Sequence, residues 1–336
     1  MYRKLTVLFL ALILISPIGT FATEAEEDTH IKWVEFNVPY GALVKALAYD
    51  IDSHGTDTHL NWIELLAYTA AKYGGEWSRY KQADLDKIAS RLLDGESLGD
   101  ITSDMEYYSY YLEAYTAILG EFVGVHRVEI ADSENSEQTI WEERYGLKVY
   151  NPIAHGFGYG HFDDFGAGRN YGYKRRHLGH DMFGAVGTPI IAVESGIVEV
   201  MGWNQYGGWR IGIRSFDGLR YYYYAHLRQN RPFHPDVQEG ATVKAGDVIG
   251  YMGRTGYSHT ENTNGIRETH LHWGMQLIFH PDQKESSNEI WIDLYNITRL
   301  LERNRSETYR VAETKEFYRT HDFDEPNLTD RKEQTA

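Results

Sequence analysis

The 336-residue sequence contains no cysteine. Stabilisation by disulfides is excluded, and so is any metal site built on thiolates; a metal here must take His, Asp or Glu. Basic residues are scarce, 33 Lys and Arg against 49 Asp and Glu, for a formal net charge of −16. So acidic a chain lacks the broad basic field that nucleic-acid binding usually needs, and no nucleic-acid partner is expected. Long apolar runs are missing too, apart from one at the N-terminus. No other segment approaches the length and apolarity of a membrane span.

That exception reads MYRKLTVLFLALILISPIGTFA: Arg3 and Lys4, an apolar stretch over residues 5–15, a Pro-Gly break, and a small-x-small site at Thr20-Phe21-Ala22. This is the pattern of an export signal over residues 1–22. Residues 5–22 are also near the lower limit for spanning a bilayer, so an uncleaved anchor is the alternative. Cleavage would leave 31 basic against 49 acidic residues, a charge of −18. The expected location is exported, extracellular or cell-wall associated.

The length suits two domains. Residues 23–126 read as a helical domain: Leu43, Leu47 and Ile51 recur at helical spacing, and Trp62, Leu66, Thr69 and Tyr73 form a second stripe before Gly74-Gly75. Further helices are predicted over 83–93 and 107–119. The tyrosines at 107, 108, 110, 111 and 115 suggest a packing face, or else an aromatic platform for a glycan. Residues 127–150, with a polar run over 132–138, read as a linker.

Past residue 150 the period changes. Short β-branched or aromatic segments at 189–193, 196–200, 209–215, 219–225 and 271–279 are separated by glycine turns, with Asp217-Gly218 as a hairpin turn. The fold class expected is α+β, a helical N-terminal domain and then a mainly antiparallel β-sheet domain over 151–282. Helical spacing returns from residue 290, within a predicted C-terminal helix over 283–306, and a charged tail over 307–336 should fray.

The stretch RHLGHD at 176–181 places two imidazoles beside a carboxylate. Gly179 and the nearby Gly184, Gly187 and Pro189 argue against a helix. In an extended chain His177 and Asp181 point one way and His180 the other. A straight strand would hold their α-carbons roughly 13 Å apart, too far for one ion, so the chain must bend. Gly179 would allow the bend by tolerating backbone angles closed to other residues. A third ligand must come from elsewhere. In Thr269-His270-Leu271-His272-Trp273, His270 and His272 share one face of a strand, so one can bind metal while the other reaches a bound water. His226 ends the strand YYYYA on the parity of Tyr222 and Tyr224.

In that order, RRHLGHDMFGAVGTPIIAVESGIVEVMGW, YYYYAHL, VQEGATVKAGDVIGYMGRTG and HLHWGMQL resemble the catalytic domain of lysostaphin/LytM-type zinc peptidases, which cut peptide links in bacterial peptidoglycan. The resemblance covers residues 163–279 and implies a duplicated-hybrid, barrel-sandwich-like sheet. It implies Zn2+ as cofactor, held by His177, Asp181 and His272, with His226 and His270 acting on the substrate. His270 would be the general base and His226 the donor to the oxyanion, with those roles open to exchange. Asn170, in the family-like lead-in at 163–172, would lie near the metal. The implied partner is peptidoglycan peptide, with other wall or membrane components reached through the helical region.

Other classes compete. Val243-Lys244-Ala245-Gly246-Asp247 resembles turns of lipoyl and biotinyl carriers, and H-x-G-x-D a motif of glucose-specific phosphotransfer proteins. Neither calls for H-L-H, and an export signal argues against both. A non-catalytic scaffold would lack ligands that are all present here. Glu64 or Glu76 as the acid of a glycosidase has no evident partner carboxylate.

Overall fold

Five helices come first, Tyr40–Ser53, Trp62–Tyr73, Gln82–Leu93, Leu98–Thr102 and Tyr108–Leu119, in a computed structural model that describes residues 30–132, 138–170, 174–284, 286–326 and 328. The segment read as a signal, residues 133–137 of the polar run, and the tail beyond residue 328 lie outside the described residues. The helix ends follow local chemistry. The Asn61 side chain accepts from the N–H groups of Ile63 and Glu64, and Gly74 closes the same helix in the left-handed conformation, φ 62°. Of the first predicted stripe, Leu43 and Leu47 are buried but Ile51 is 38% exposed. The last turn buries Asp50 instead, whose carboxylate accepts from the Trp62 N–H at 2.9 Å and from the Tyr145 hydroxyl. Tyr108, Tyr110 and Tyr111 pack half-buried against the core and Tyr115 is enclosed, its hydroxyl accepting from Trp77 Nε1 at 3.0 Å, whereas Tyr107 is exposed.

The stretch expected as a linker carries two nine-residue strands, Val123–Ala131 and Thr139–Leu147, paired antiparallel, with Phe323–Asp324 along the other side. Its charges misled the linear reading: Arg127, Glu129, Glu142 and Glu143 line a solvated hairpin, where polar residues carry no core period. The charged tail is likewise partly built in. Thr308–Arg310 pairs with Phe317–Arg319, and Phe323 is buried against Tyr150 and His126.

The largest sheet runs in the order Thr242–Val243, Gly196–Asn204, Gly208–Ser215, Arg220–Ala225, His270–Leu277, His180–Phe183, Gly160–His161, every pairing antiparallel. Pro189–Ile191 and Val248–Tyr251 form a separate pair. The helix predicted from residue 290 starts later. Ile290–Trp291 is a strand on His270–Leu277, and only Tyr295–Leu301 is helical, after the Asp293 carboxylate takes the Tyr295 N–H.

Helices and sheet share one core. Trp62, Leu66, Tyr115 and Ile118 belong to the same buried cluster as Trp273, Met275, Leu277 and Leu300, and each buried Leu or Ile contributes roughly 1.5–3 kcal/mol. Arg220, fully enclosed, joins the two parts: its guanidinium donates to the Ala117 carbonyl at 2.7 Å, to Glu194 at 2.8 and 3.1 Å, and to Asp217 at 2.6 Å. Gln283 adds a second tie, donating to the Ile31 carbonyl at 2.7 Å. Among the described residues no helix is long and apolar enough to cross a membrane.

Candidate metal centre

Strand pairing decides which side chains meet. His272 lies directly opposite Asp181, and Trp273 opposite His180. Because side chains alternate, Asp181, His270 and His272 emerge on one face, while His180, Met182, Leu271 and Trp273 are buried on the other. His177 comes from before the bend. The strand Lys174–Arg176 ends, the chain turns at Gly179, and His180–Phe183 begins.

The bend falls where the sequence places it, but for a different reason. Gly179 does not have a left-handed backbone; instead, a Cβ there would sit 2.5 Å from Cε1 and Nε2 of His272 and 3.0 Å from the Trp273 carbonyl oxygen. The missing side chain is the space into which the His272 ring fits.

Three donor atoms converge. His177 Nε2 lies 3.0 Å from Asp181 Oδ1 and 3.2 Å from His272 Nδ1, and those two are 2.9 Å apart. Tetrahedral ligands about 2.1 Å from a zinc ion are separated by about 3.4 Å, so the triangle opens by only a few tenths of an ångström to hold one. Two imidazoles and a carboxylate form the donor set of many catalytic zinc sites, with one position left open. His177, Asp181 and His272 are also the one group among the described residues with metal-ligand spacing.

The supporting residues escaped the sequence reading. Asp164 Oδ1 lies 3.0 Å from His177 Nδ1 and accepts its proton, leaving Nε2 as the free donor to a metal. Arg169 donates to the second oxygen of Asp181 at 3.1 Å and also pairs with Asp164. Asn170, expected near the metal, is exposed on the strand Gly168–Asn170, and its neighbour Arg169 reaches the site instead. Alternation along that strand sends adjacent residues to opposite sides.

Charge follows geometry. Burial alone would raise the Asp181 pKa, but the His177 and His272 rings, donors to it when they carry a second proton, hold it well below the usual carboxylate range. For His177, burial opposes protonation, yet the Asp181 carboxylate outweighs it and the pKa rises. His180 is pushed down to about 3, first by burial and then by the facing His161, whose Nδ1 lies 2.8 Å from His180 Nε2. It points away from the ligands, as its parity predicts.

His226 departs from simple alternation. Its parity with Tyr222 and Tyr224 would bury it on the core side, where Tyr222 donates to Glu194 and Tyr224 accepts from the Val193 N–H. A left-handed backbone, φ 63°, turns the ring to the opposite face, 4.8 Å from His270 and 5.9 Å from His272 between centroids. Such a conformation costs a non-glycine residue on the order of 1–3 kcal/mol. His226 Nδ1 lies 3.0 Å from the Thr255 carbonyl and His270 Nδ1 2.8 Å from that of Glu268. A carbonyl only accepts, so both Nδ1 atoms carry protons and both rings turn Nε2 to the site. Burial keeps His226 neutral.

Beside the donor triangle lies a cavity of about 490 Å³, with His177, His226 and His272 in its wall and Tyr206, Tyr223 and Trp291 around it. A smaller one of about 210 Å³ adjoins Asp181 and His270. Neither Glu64 nor Glu76 lines either cavity.

Residues 175–287 match peptidase family M23. The L-Ala–D-Glu endopeptidase of Bacillus subtilis is 30% identical over 194 residues, 54% of this chain and 58% of that protein. Lysostaphin of Staphylococcus staphylolyticus is 39% identical over 109 residues, 32% of this chain and 20% of that protein. The chain thus spans less than two thirds of the length of either relative. A crystal structure from Ruminococcus gnavus, provisionally described as a LytM glycyl-glycine endopeptidase, shares the fold at a TM-score of 0.52 and 24% identity, over 82% of this chain and 92% of that one. So wide a match takes in helices as well as sheet.

Proposed function

We propose that the protein is an exported zinc-dependent endopeptidase that cuts peptide bonds in bacterial peptidoglycan, a reading supported by the match of residues 175–287 to peptidase family M23 and by the likeness to lysostaphin. The reading rests on the convergence of His177 Nε2, Asp181 Oδ1 and His272 Nδ1 beside a cavity wide enough for a peptide. Its substrate class is supported by the relatives, which include an L-Ala–D-Glu endopeptidase and lysostaphin. Export rests on the N-terminal pattern.

His177, Asp181 and His272 would hold the zinc, whose chemistry is to polarise a carbonyl and to make water acidic enough to lose a proton near neutral pH. His270 accepts that proton at Nε2. That nitrogen lies 3.7 Å from Asp181 Oδ1, so the carboxylate compensates the charge of the protonated ring. His226 also acts through Nε2. Its one N–H is spent on the Thr255 carbonyl, so at rest it accepts a hydrogen bond from the attacking water rather than donating one to an oxyanion. This revises the role given by the family resemblance and makes His226 the group that aims the water's lone pair. The turned backbone at residue 226 holds that aim.

Digestion of purified peptidoglycan with mass analysis of the fragments tests the proposal. New amino groups without new glycan ends, abolished by a chelator and restored by zinc, are expected; new reducing ends without amino groups would sink it.

A further inference from the structure

The wall of the larger cavity concentrates positive charge in a chain that is acidic overall. Arg175, Arg176, Arg210 and Lys284 line it, with Glu289 as the one carboxylate. Glu289 is engaged by Trp291 Nε1 at 2.8 Å, and Lys284 is paired with Glu199. Arg210 differs. It projects from the strand Gly208–Ser215, its Nε is buried with no hydrogen-bond partner, and it has no acidic partner among the described residues. A buried guanidinium N–H without an acceptor is costly, and the group that satisfies it with best geometry is a carboxylate, taken by two parallel N–H donors.

Two of these cations sit next to the metal ligands in sequence. Arg175 and Arg176 directly precede His177, and the Arg175 guanidinium lies over the Tyr257 ring at 5.1 Å from its centroid. Arg176 is exposed on the strand Lys174–Arg176. In the same wall Tyr223 and Trp291 form an apolar patch beside these cations, rings 6.2 Å apart and edge to face. The volume admits several residues of an extended peptide, with flat aromatic surface and cations both within its reach.

Building on the peptidase reading, we propose that this site selects peptides with a free carboxylate close to the scissile bond, an acidic stem-type peptide rather than a neutral glycine bridge, and that Arg210 with Arg175 and Arg176 receives that carboxylate. A neutral chain of glycines offers nothing to the guanidiniums and leaves Arg210 Nε unpaired. A side-chain or α-carboxylate on the residue entering the cavity satisfies it.

The test uses the full-length, zinc-loaded protein and three synthetic peptides: a stem-type peptide with a free glutamyl carboxylate, the same peptide with that carboxyl as an amide, and pentaglycine. The acid peptide should be cut with a kcat/KM at least tenfold above the amide, mostly through KM, and pentaglycine least. Arg210→Gln should bring the acid-to-amide ratio close to one. Arg176→Gln, at an exposed position, should lower the same ratio even if the Arg210 variant does not fold. Equal rates on acid and amide peptides, or a preference for amide or pentaglycine, would overturn the carboxylate site while leaving the peptidase standing. Failure to cut any of the three would overturn both.

Discussion

His177 Nδ1 lies 3.0 Å from Asp164 Oδ1, on the far side of the ring from the nitrogen that faces Asp181 and His272. The carboxylate fixes the tautomer and the tilt of the imidazole, so that Nε2 is presented bare. Replacing Asp164 with Asn offers the ring an acceptor without the charge, and loss of such an outer partner typically weakens metal binding by about 10- to 100-fold. Competition with a chromophoric chelator measures this. An unchanged zinc affinity in the Asp164→Asn protein would remove Asp164 from the site.

The two histidines of the H-L-H motif separate under mutation. His272→Ala takes away one of the three donors and should abolish both zinc binding and hydrolysis. His270→Ala leaves the donor triangle intact, so bound zinc per chain should stay near one while kcat falls by about 10²- to 10⁴-fold. Elemental analysis alongside turnover distinguishes them, and full activity in the His270 variant would contradict its role as base.

Gly179 offers a test of the space argument. Alanine there puts a Cβ 2.5 Å from the His272 ring. The ring can swing away more cheaply than the sheet can open, so zinc affinity should drop at least tenfold while the thermal midpoint of the metal-free protein moves little. A backbone that required glycine for its torsion angles would show the reverse, a lower metal-free midpoint with zinc affinity kept.

Glu194→Gln addresses the join between helices and sheet. The guanidinium of Arg220 is fully buried, and Glu194 is its two-pronged charged partner, accepting from Nε and Nη2 and also receiving the Tyr222 hydroxyl. Removing one member of a buried ion pair costs about 3–5 kcal/mol, moderated here by Asp217. Denaturant unfolding should lose about 3 kcal/mol, and a loss below 1 kcal/mol would mean that the pair is not a structural tie. The same contacts bear on truncation: a sheet domain cut free of residues 31–122 loses the Ala117 carbonyl under Arg220 and the Ile31 carbonyl under Gln283.

What could be read from the sequence was whatever obeys a local period. Helices with a cap at Asn61 or a stop at Gly74, and strands such as Arg220–Ala225, fall close to their predicted places because a few neighbouring residues determine them. His177, Asp181 and His272 converge for the same reason, as parity and one bend bring them to a common face. The rest depends on partners distant in the chain. Of the paired strands Val123–Ala131 and Thr139–Leu147 the second is polar and solvated, and Phe323 pairs with the first from almost 200 positions away. Ile290–Trp291 pairs with Gln276 and Leu277 upstream and so escapes a helical pattern. Asp164 and Arg169 show no spacing relative to His177 that marks them as its supports. The side on which His226 emerges depends on one torsion angle, and residue order carries no direct sign of it.

The four-tyrosine strand divides its labour by parity. Tyr222 and Tyr224 have their hydroxyls tied into the interior, while Tyr221 and Tyr223 face the cavity. Anchoring and shaping are therefore uncoupled within six residues. The odd-numbered positions can be exchanged to widen, narrow or recharge the cleft while their even-numbered neighbours keep the strand in register, so the cleft can be reshaped without rebuilding the ligand triangle.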